Sequence, residues 1–97
     1  MNGKHYYVYI LCNKRNGTLY TGITSNLIKC IWQHKNEAVE GFTKQYGLKC
    51  LVHFEQYQDV KEALLREKRI KKWNRQWKIN LIEQNNPNWD DLYQKLV

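Results

Sequence analysis

No apolar run in this sequence approaches the roughly 18 residues needed to span a bilayer. The start, Met-Asn-Gly-Lys-His-Tyr, has no apolar signal core. Both absences lead to the expectation of a cytoplasmic protein with no membrane partner. Repeats, linkers and low-complexity tracts are also missing. Three cysteines, Cys12, Cys30 and Cys50, form no CxxC pair and no Cys/His cluster, which argues against a disulfide framework or a structural zinc site. Cys12 and Cys50 read as reduced, buried small residues. Acidic residues are few, nine against sixteen Lys and Arg, and they form no cluster.

What is present is basic and aromatic. The net charge is +7 and the pI about 9.4, a balance that points to nucleic acid, an anionic membrane or an acidic protein. Four Trp and seven Tyr in 97 residues supply the volume of one compact core and argue against disorder. The length fits a single domain, residues 1–97.

Residues 5–12 are aromatic and β-branched and read as a strand. Asn16-Gly17 marks a hairpin turn, and Leu19 to Thr24 the returning strand. With Asn16 and Gly17 as the two loop residues, Tyr9 pairs with Thr24, and Tyr20 shares its face; an even shift of register keeps them together. Ser25 or Asn26 caps a helix whose stripe is Leu27, Cys30, Ile31 and His34. Residues 36–48 read as loop, and Cys50 to Tyr57 as a third strand. Asp59 and Glu62 open a helix running towards Trp73. Asn74 caps a further helix over Gln76 to Glu83. Asn85-Asn86-Pro87 is a turn, and a short helix follows to Leu96, with Trp89, Leu92 and Leu96 at helical spacing. The order β-β-α-β-α-α, plus the short C-terminal helix, predicts an α+β fold with a small antiparallel sheet.

The inward stripe of the Asp59–Trp73 helix reads Val60, Ala63/Leu64, Glu67, Ile70. A carboxylate there costs free energy unless a metal ion, an arginine or a lysine meets it. From Arg66 to Lys78 the chain holds seven Lys/Arg against one Glu, with Trp73 and Trp77 interleaved. That run is either a solvated face over two core tryptophans or a ridge that contacts phosphates.

Taken together, these residues resemble the GIY-YIG nuclease superfamily, and its compact stand-alone bacterial branch related to the excision-repair endonuclease domain. Tyr7-Val8-Tyr9 matches the first family motif and Tyr20-Thr21-Gly22 the second. The tail at 77–89 is similar to that branch, and the resemblance covers roughly residues 5–92. It implies a three-stranded antiparallel sheet flanked by helices. It also implies hydrolysis of a nucleic-acid phosphodiester, DNA being the expected substrate, at structured or damaged sites, with one Mg²⁺ or Mn²⁺. One Glu is a sufficient anchor for magnesium, which keeps several waters and substrate oxygens. By the resemblance, Glu67 is the metal ligand, Tyr9 orients or deprotonates the attacking water, and Tyr20 bonds the phosphate or the water network. His34 serves as base or proton carrier. Asn80 takes a site role, while Asn86 keeps a turn or capping role.

One position departs from the family. Its helix carries an arginine where this chain has Cys30, and a thiol supplies no fixed positive fork. Three readings follow: a crippled enzyme, a substitute cation among Lys29, Lys35 and Lys44, or a module that binds nucleic acid without cutting it. A Cys30 metal ligand is weaker, since thiolate suits magnesium poorly. Candidate phosphate contacts are Lys29, Lys35, Lys44, Arg66, Lys68, Lys71, Lys72 and Lys78. A protein-interaction domain whose charge only keeps it soluble is the remaining alternative.

Overall fold

A computed structural model describes residues 5–38 and 41–97. Residues 1–4 of the polar start and residues 39–40 of the 36–48 segment lie outside the described residues. Three strands, β1 (Tyr6–Cys12), β2 (Leu19–Thr24) and β3 (Cys50–Tyr57), form one antiparallel sheet in the order β2-β1-β3. The α+β architecture is the expected one.

The hairpin register differs from the simple reading. Tyr9 faces Gly22, and Tyr7 faces Thr24. The shift is even, so Tyr9 and Tyr20 still share a face. The cause is a longer loop at residues 13–18. Asn13 Oδ1 accepts from the Thr18 N–H at 2.9 Å, and the Gly17 N–H donates to Lys14 O at 2.9 Å. Asn16 takes the left-handed conformation (φ 57°). Gly17 is needed for space: a Cβ there would lie 2.0 Å from Asn13 Oδ1. Arg75 donates to the Asn16 and Gly17 carbonyls, both at 2.6 Å, tying the loop to a helix.

Helix α1 (Leu27–Lys35) is capped by Asn26, which accepts from the Lys29 N–H. The segment read as loop contains a short helix, α2 (Phe42–Tyr46), ended by Gly47 at φ 65°. Glycines at both ends disguise five helical residues as a loop. Helix α3 (Val60–Lys72) starts at Asp59, and α4 (Arg75–Asn85) at Asn74, each cap accepting a backbone N–H. The expected C-terminal helix shrinks to a 3-10 turn over Leu92–Lys95. Trp89 adopts φ 57° and its indole N–H donates to Glu83, so it packs from a turn rather than a helix. Asn86 donates to the Val52 and Asp90 carbonyls and accepts from the Asp90 N–H, which fixes that turn against β3.

Strand alternation on β1 splits the core between two faces. Val8, Ile10 and Cys12 pack with Val52, Ala63, Ile70, Ile82 and Trp89 under α3 and α4. Tyr9 and Leu11 pack with Leu27, Ile31, Leu48 and Leu51 under α1. The α3 stripe is narrower than expected: Ala63, Glu67 and Ile70 are buried, while Val60 and Leu64 are exposed.

A charged cluster locks α3 to the edge strand. Arg66 forks onto Glu55 at 2.8 and 2.9 Å, and His53 and the Tyr57 hydroxyl meet the same carboxylate at 2.8 Å. Burial alone raises the Glu55 pKa, but the bonds from His53, Arg66 and Tyr57 outweigh it and hold the carboxyl far below its ordinary range. Glu55→Gln is expected to cost about 2 kcal/mol at pH 7 by urea denaturation, less than a fully buried pair because both partners retain some exposure. The Glu55 contribution is fully present above the ordinary value of 4.5 and is lost as pH falls below it towards the depressed folded value. The variant's stability should therefore fall less steeply over that acid range.

Candidate active site

Strand alternation and helix spacing bring four of the sequence candidates to one face of the sheet. The Tyr9 and Tyr20 rings lie 6.3 Å apart between centroids; His34 lies 6.1 Å from Tyr9 and 6.3 Å from Tyr20. The three rings thus form a nearly equilateral triangle. Cys30, one turn before His34 on α1, places its thiol to donate to the Tyr9 hydroxyl at 3.4 Å. His34 Nε2 approaches the same hydroxyl at 3.4 Å, and Nδ1 lies 3.0 Å from Thr43 Oγ1. With Cys30 donating to the phenol oxygen, the Tyr9 hydroxyl is placed to donate to a neutral Nε2. Nδ1–H is then left for Thr43.

Burial sets the proton chemistry of this cluster. His34 is 8% exposed, and desolvation lowers its pKa from 6.5, so the ring is neutral at pH 7. Burial first, then Cys30, Tyr20 and Glu67, raise the Tyr9 pKa well above that of an ordinary phenol. Glu67 itself is buried, and its Oε2 meets Lys71 Nζ at 2.7 Å, one turn along α3. Lysine is thus the partner that the inward acid finds in this structure.

A divalent metal fits this donor set. Glu67 is a lone carboxylate, and among the described residues there is no group of three or more His, Cys, Asp or Glu side chains that could hold a metal. A lone carboxylate is an anchor that a hard divalent cation can use, since such a cation keeps waters and substrate oxygens.

Several sequence candidates lie in other surroundings. Lys35 pairs with Asp91 and donates to Lys49 O at 2.9 Å, so it is tied down as a helix-to-turn clamp. Arg66 is committed to Glu55 and also covers the Trp73 ring at 5.1 Å. Asn80 is exposed on α4, accepts from Gln76 at 2.9 Å and lines an open groove with Trp73, Trp77 and Gln84. Lys29, Lys68, Lys71 and Lys72 are exposed, Lys78 partly so, and Lys44 lies on α2. Trp77 is 56% exposed and is not a core residue.

Three residues at the site escape sequence reasoning. Thr43 is buried and positions His34 from α2, the helix hidden by its glycines. Phe42 stacks at 6.2 Å on Tyr20, and Tyr46 lies 4.7 Å from Phe42, extending the aromatic surface outward. The Phe-x-x-x-Tyr spacing is the signal that could have found this pair. Gly22 faces Tyr9 across the strands, and a Cβ there would sit 2.4 Å from the phenol oxygen and 2.5 Å from its ring carbon. Gly22→Ala is therefore expected to push Tyr9 off its place and to destabilise the fold by about 1–3 kcal/mol. Urea denaturation measures the loss, and NMR of the Tyr9 ring measures the displacement.

Comparison with known proteins follows the same geometry. The family model described as the GIY-YIG catalytic domain matches residues 5–80. A UPF0213 protein of Clostridium perfringens is 45% identical over 76 residues, covering 78% of this chain and 81% of that one. A UPF0213 protein of Syntrophus aciditrophicus is 41% identical over 81 residues, covering 81% and 91%. The solution NMR structure of a UPF0213 protein from Bacillus halodurans superposes with a TM-score of 0.57 at 26% identity, covering 90% of this chain and 92% of that one. These names assign no activity.

Proposed function

This chain belongs to the GIY-YIG catalytic domain family, and from that premise we propose that it is a metal-dependent endonuclease hydrolysing phosphodiester bonds, with DNA as substrate. The observation that carries the reading is the triangle of Tyr9, Tyr20 and His34, together with the inward Glu67 on α3. A surface-binding module has little use for a buried Tyr9 and His34 bonded to each other.

Glu67 would hold one Mg²⁺ or Mn²⁺, which when bound supplies charge stabilisation at the phosphoryl group and the leaving oxygen. The raised Tyr9 pKa makes the phenol a poor base at neutral pH, so Tyr9 orients the attacking water as a neutral hydroxyl. The neutral His34 ring accepts a proton relayed through that hydroxyl, with Thr43 holding its far nitrogen. Acid protonates His34 and removes the acceptor, so cleavage declines as pH falls through its depressed pKa. Tyr20, flanked by Phe42, faces the phosphate. The exposed Lys29, Lys68 and Lys72 supply backbone contacts that weaken with salt.

The charge that Cys30 does not provide comes from Lys71. Lys35 is tied to Asp91, whereas Lys71 already sits on Glu67. Glu67 would hold the cation in place of the Lys71 ammonium, and Lys71 would then be free to meet a phosphate oxygen. Lys71→Met is expected to tighten Mn²⁺ binding by about two- to fivefold, the worth of an exposed ion pair, while slowing cleavage by about tenfold or more. Calorimetric titration of Mn²⁺ and single-turnover cleavage read the two effects separately.

A second reading has one specific observation behind it. Cys30 meets Tyr9 with a thiol, which leaves a binding module without cutting activity as the alternative. Incubation of plasmid and branched DNA with Mg²⁺ or Mn²⁺ decides between them. Cleavage by wild type and none by Glu67→Ala is the expected result. Cleavage by Cys30→Arg alone would make position 30 the lesion. Silence of all three, with salt-sensitive DNA binding retained, would establish the binding module.

A further inference from the structure

Cys12 and Cys50 are free thiols that stand directly opposite each other on the paired strands β1 and β3. Directly opposed residues of an antiparallel pair point to the same face with Cα atoms ~4.5 or ~5.5 Å apart. Both separations lie inside the range that a disulfide spans without backbone movement, about 4.4–6.8 Å. Their side chains pack in the same hydrophobic cluster. Their access to solvent differs: Cys12 is 1% exposed, while Cys50 is half-buried. Cys30 sits on the other face of the sheet with Tyr9, away from both.

We propose that Cys50 and Cys12 form a thiol–disulfide exchange site for small-molecule disulfides, with Cys50 as the attacking sulfur and Cys12 as the resolving one. In the first step the Cys50 thiolate attacks one sulfur of a disulfide R–S–S–R, forms a protein mixed disulfide and releases R–S⁻. In the second step Cys12 attacks the Cys50 sulfur, closes the Cys12–Cys50 bond and releases the second R–S⁻. The two thiol protons of the protein end on the two released thiols. Two protein thiols are oxidised and one disulfide is reduced, so electrons balance.

The surroundings of the pair assign the two roles. Only Cys50 is open to an incoming reagent. The hydrogen bond from Cys12 lowers the Cys50 pKa, with Lys35 adding to it against burial, Asp91 and Asp90. The same bond and burial raise that of Cys12, which keeps its proton until the mixed disulfide forms. The new bond would close a loop containing β2, α1 and α2, which hold Tyr20, His34 and Thr43. Removing that loop's freedom from the unfolded chain raises stability.

The test treats the full chain with oxidised glutathione and counts free thiols after denaturation, with peptide mapping and a melting scan. The expected result is loss of two thiols per chain, a Cys12–Cys50 linked peptide, a free Cys30, and a melting temperature higher by about 5 °C or more. The Cys30→Ser variant should lose both remaining thiols in the same way. Cys12→Ser should stop at a glutathione adduct on Cys50, and that adduct is read by mass even if the variant is less stable. A linkage to Cys30, a persistent adduct on Cys50 in the wild-type chain, or no thiol loss overturns the proposal. None of these readouts depends on whether the protein cuts DNA.

Discussion

The Tyr9 ring lies against Gly22 of the neighbouring strand, and the rest of the site depends on that close approach. Any side chain at position 22 would occupy the space of the phenol. Once Tyr9 lies there, its hydroxyl is the one point that both Cys30 and His34 reach from α1. The central position of β1 then matters for a second reason. Tyr9 and Leu11 face α1 and the candidate site, while Val8, Ile10 and Cys12 pack against α3 and α4 on the other side.

Two acids of this basic chain work at structural joints. Glu55 takes Arg66 and fixes α3 to β3; Asp91 takes Lys35 and fixes the C-terminal turn to α1. These are two of the cations that a reading of charge alone offers to a polyanion. Their commitment reduces the positive surface available to a substrate and concentrates what remains on Lys29, Lys68, Lys72 and Lys78. Glu67 differs from the other two acids. Its partner, Lys71, is half-exposed and on the same helix, so its release leaves no joint broken. That difference supports the proposal of a metal cation at Glu67.

The sheet, the shared face of Tyr9 and Tyr20 and the shared face of Cys30 and His34 were legible because they follow from periods of 2 and 3.6 along single elements, whereas the meeting of the two pairs was implied only by the family resemblance. A two-residue slip in the hairpin left these assignments intact for the same reason. What stayed hidden arises between elements. Thr43 reaches His34 only because a five-residue helix folds between two glycines, too short to show a periodic signal. Trp89 resembles the first residue of a helical stripe, but its positive φ and its bond to Glu83 belong to a turn. The commitment of Arg66 to Glu55 joins residues eleven apart in sequence on two elements, and no local pattern announces it.

Cys30 carries the deepest consequence for mechanism. A guanidinium at that place would push Tyr9 towards its phenolate and make it a credible base. A cysteine supplies no such charge, and burial raises the phenol pKa. In the proposed mechanism the loss of one positive charge changes two roles at once: phosphate stabilisation would pass to another cation, and proton acceptance from the phenol to the imidazole. His34 is suited to the second task, since desolvation keeps it neutral and Thr43 fixes its ring. Under that proposal position 30 couples the electrostatics of the phosphate to the choice of base. A nuclease with cysteine there would need both compensations together, because a substitute cation without a neutral His34 would still lack a proton acceptor.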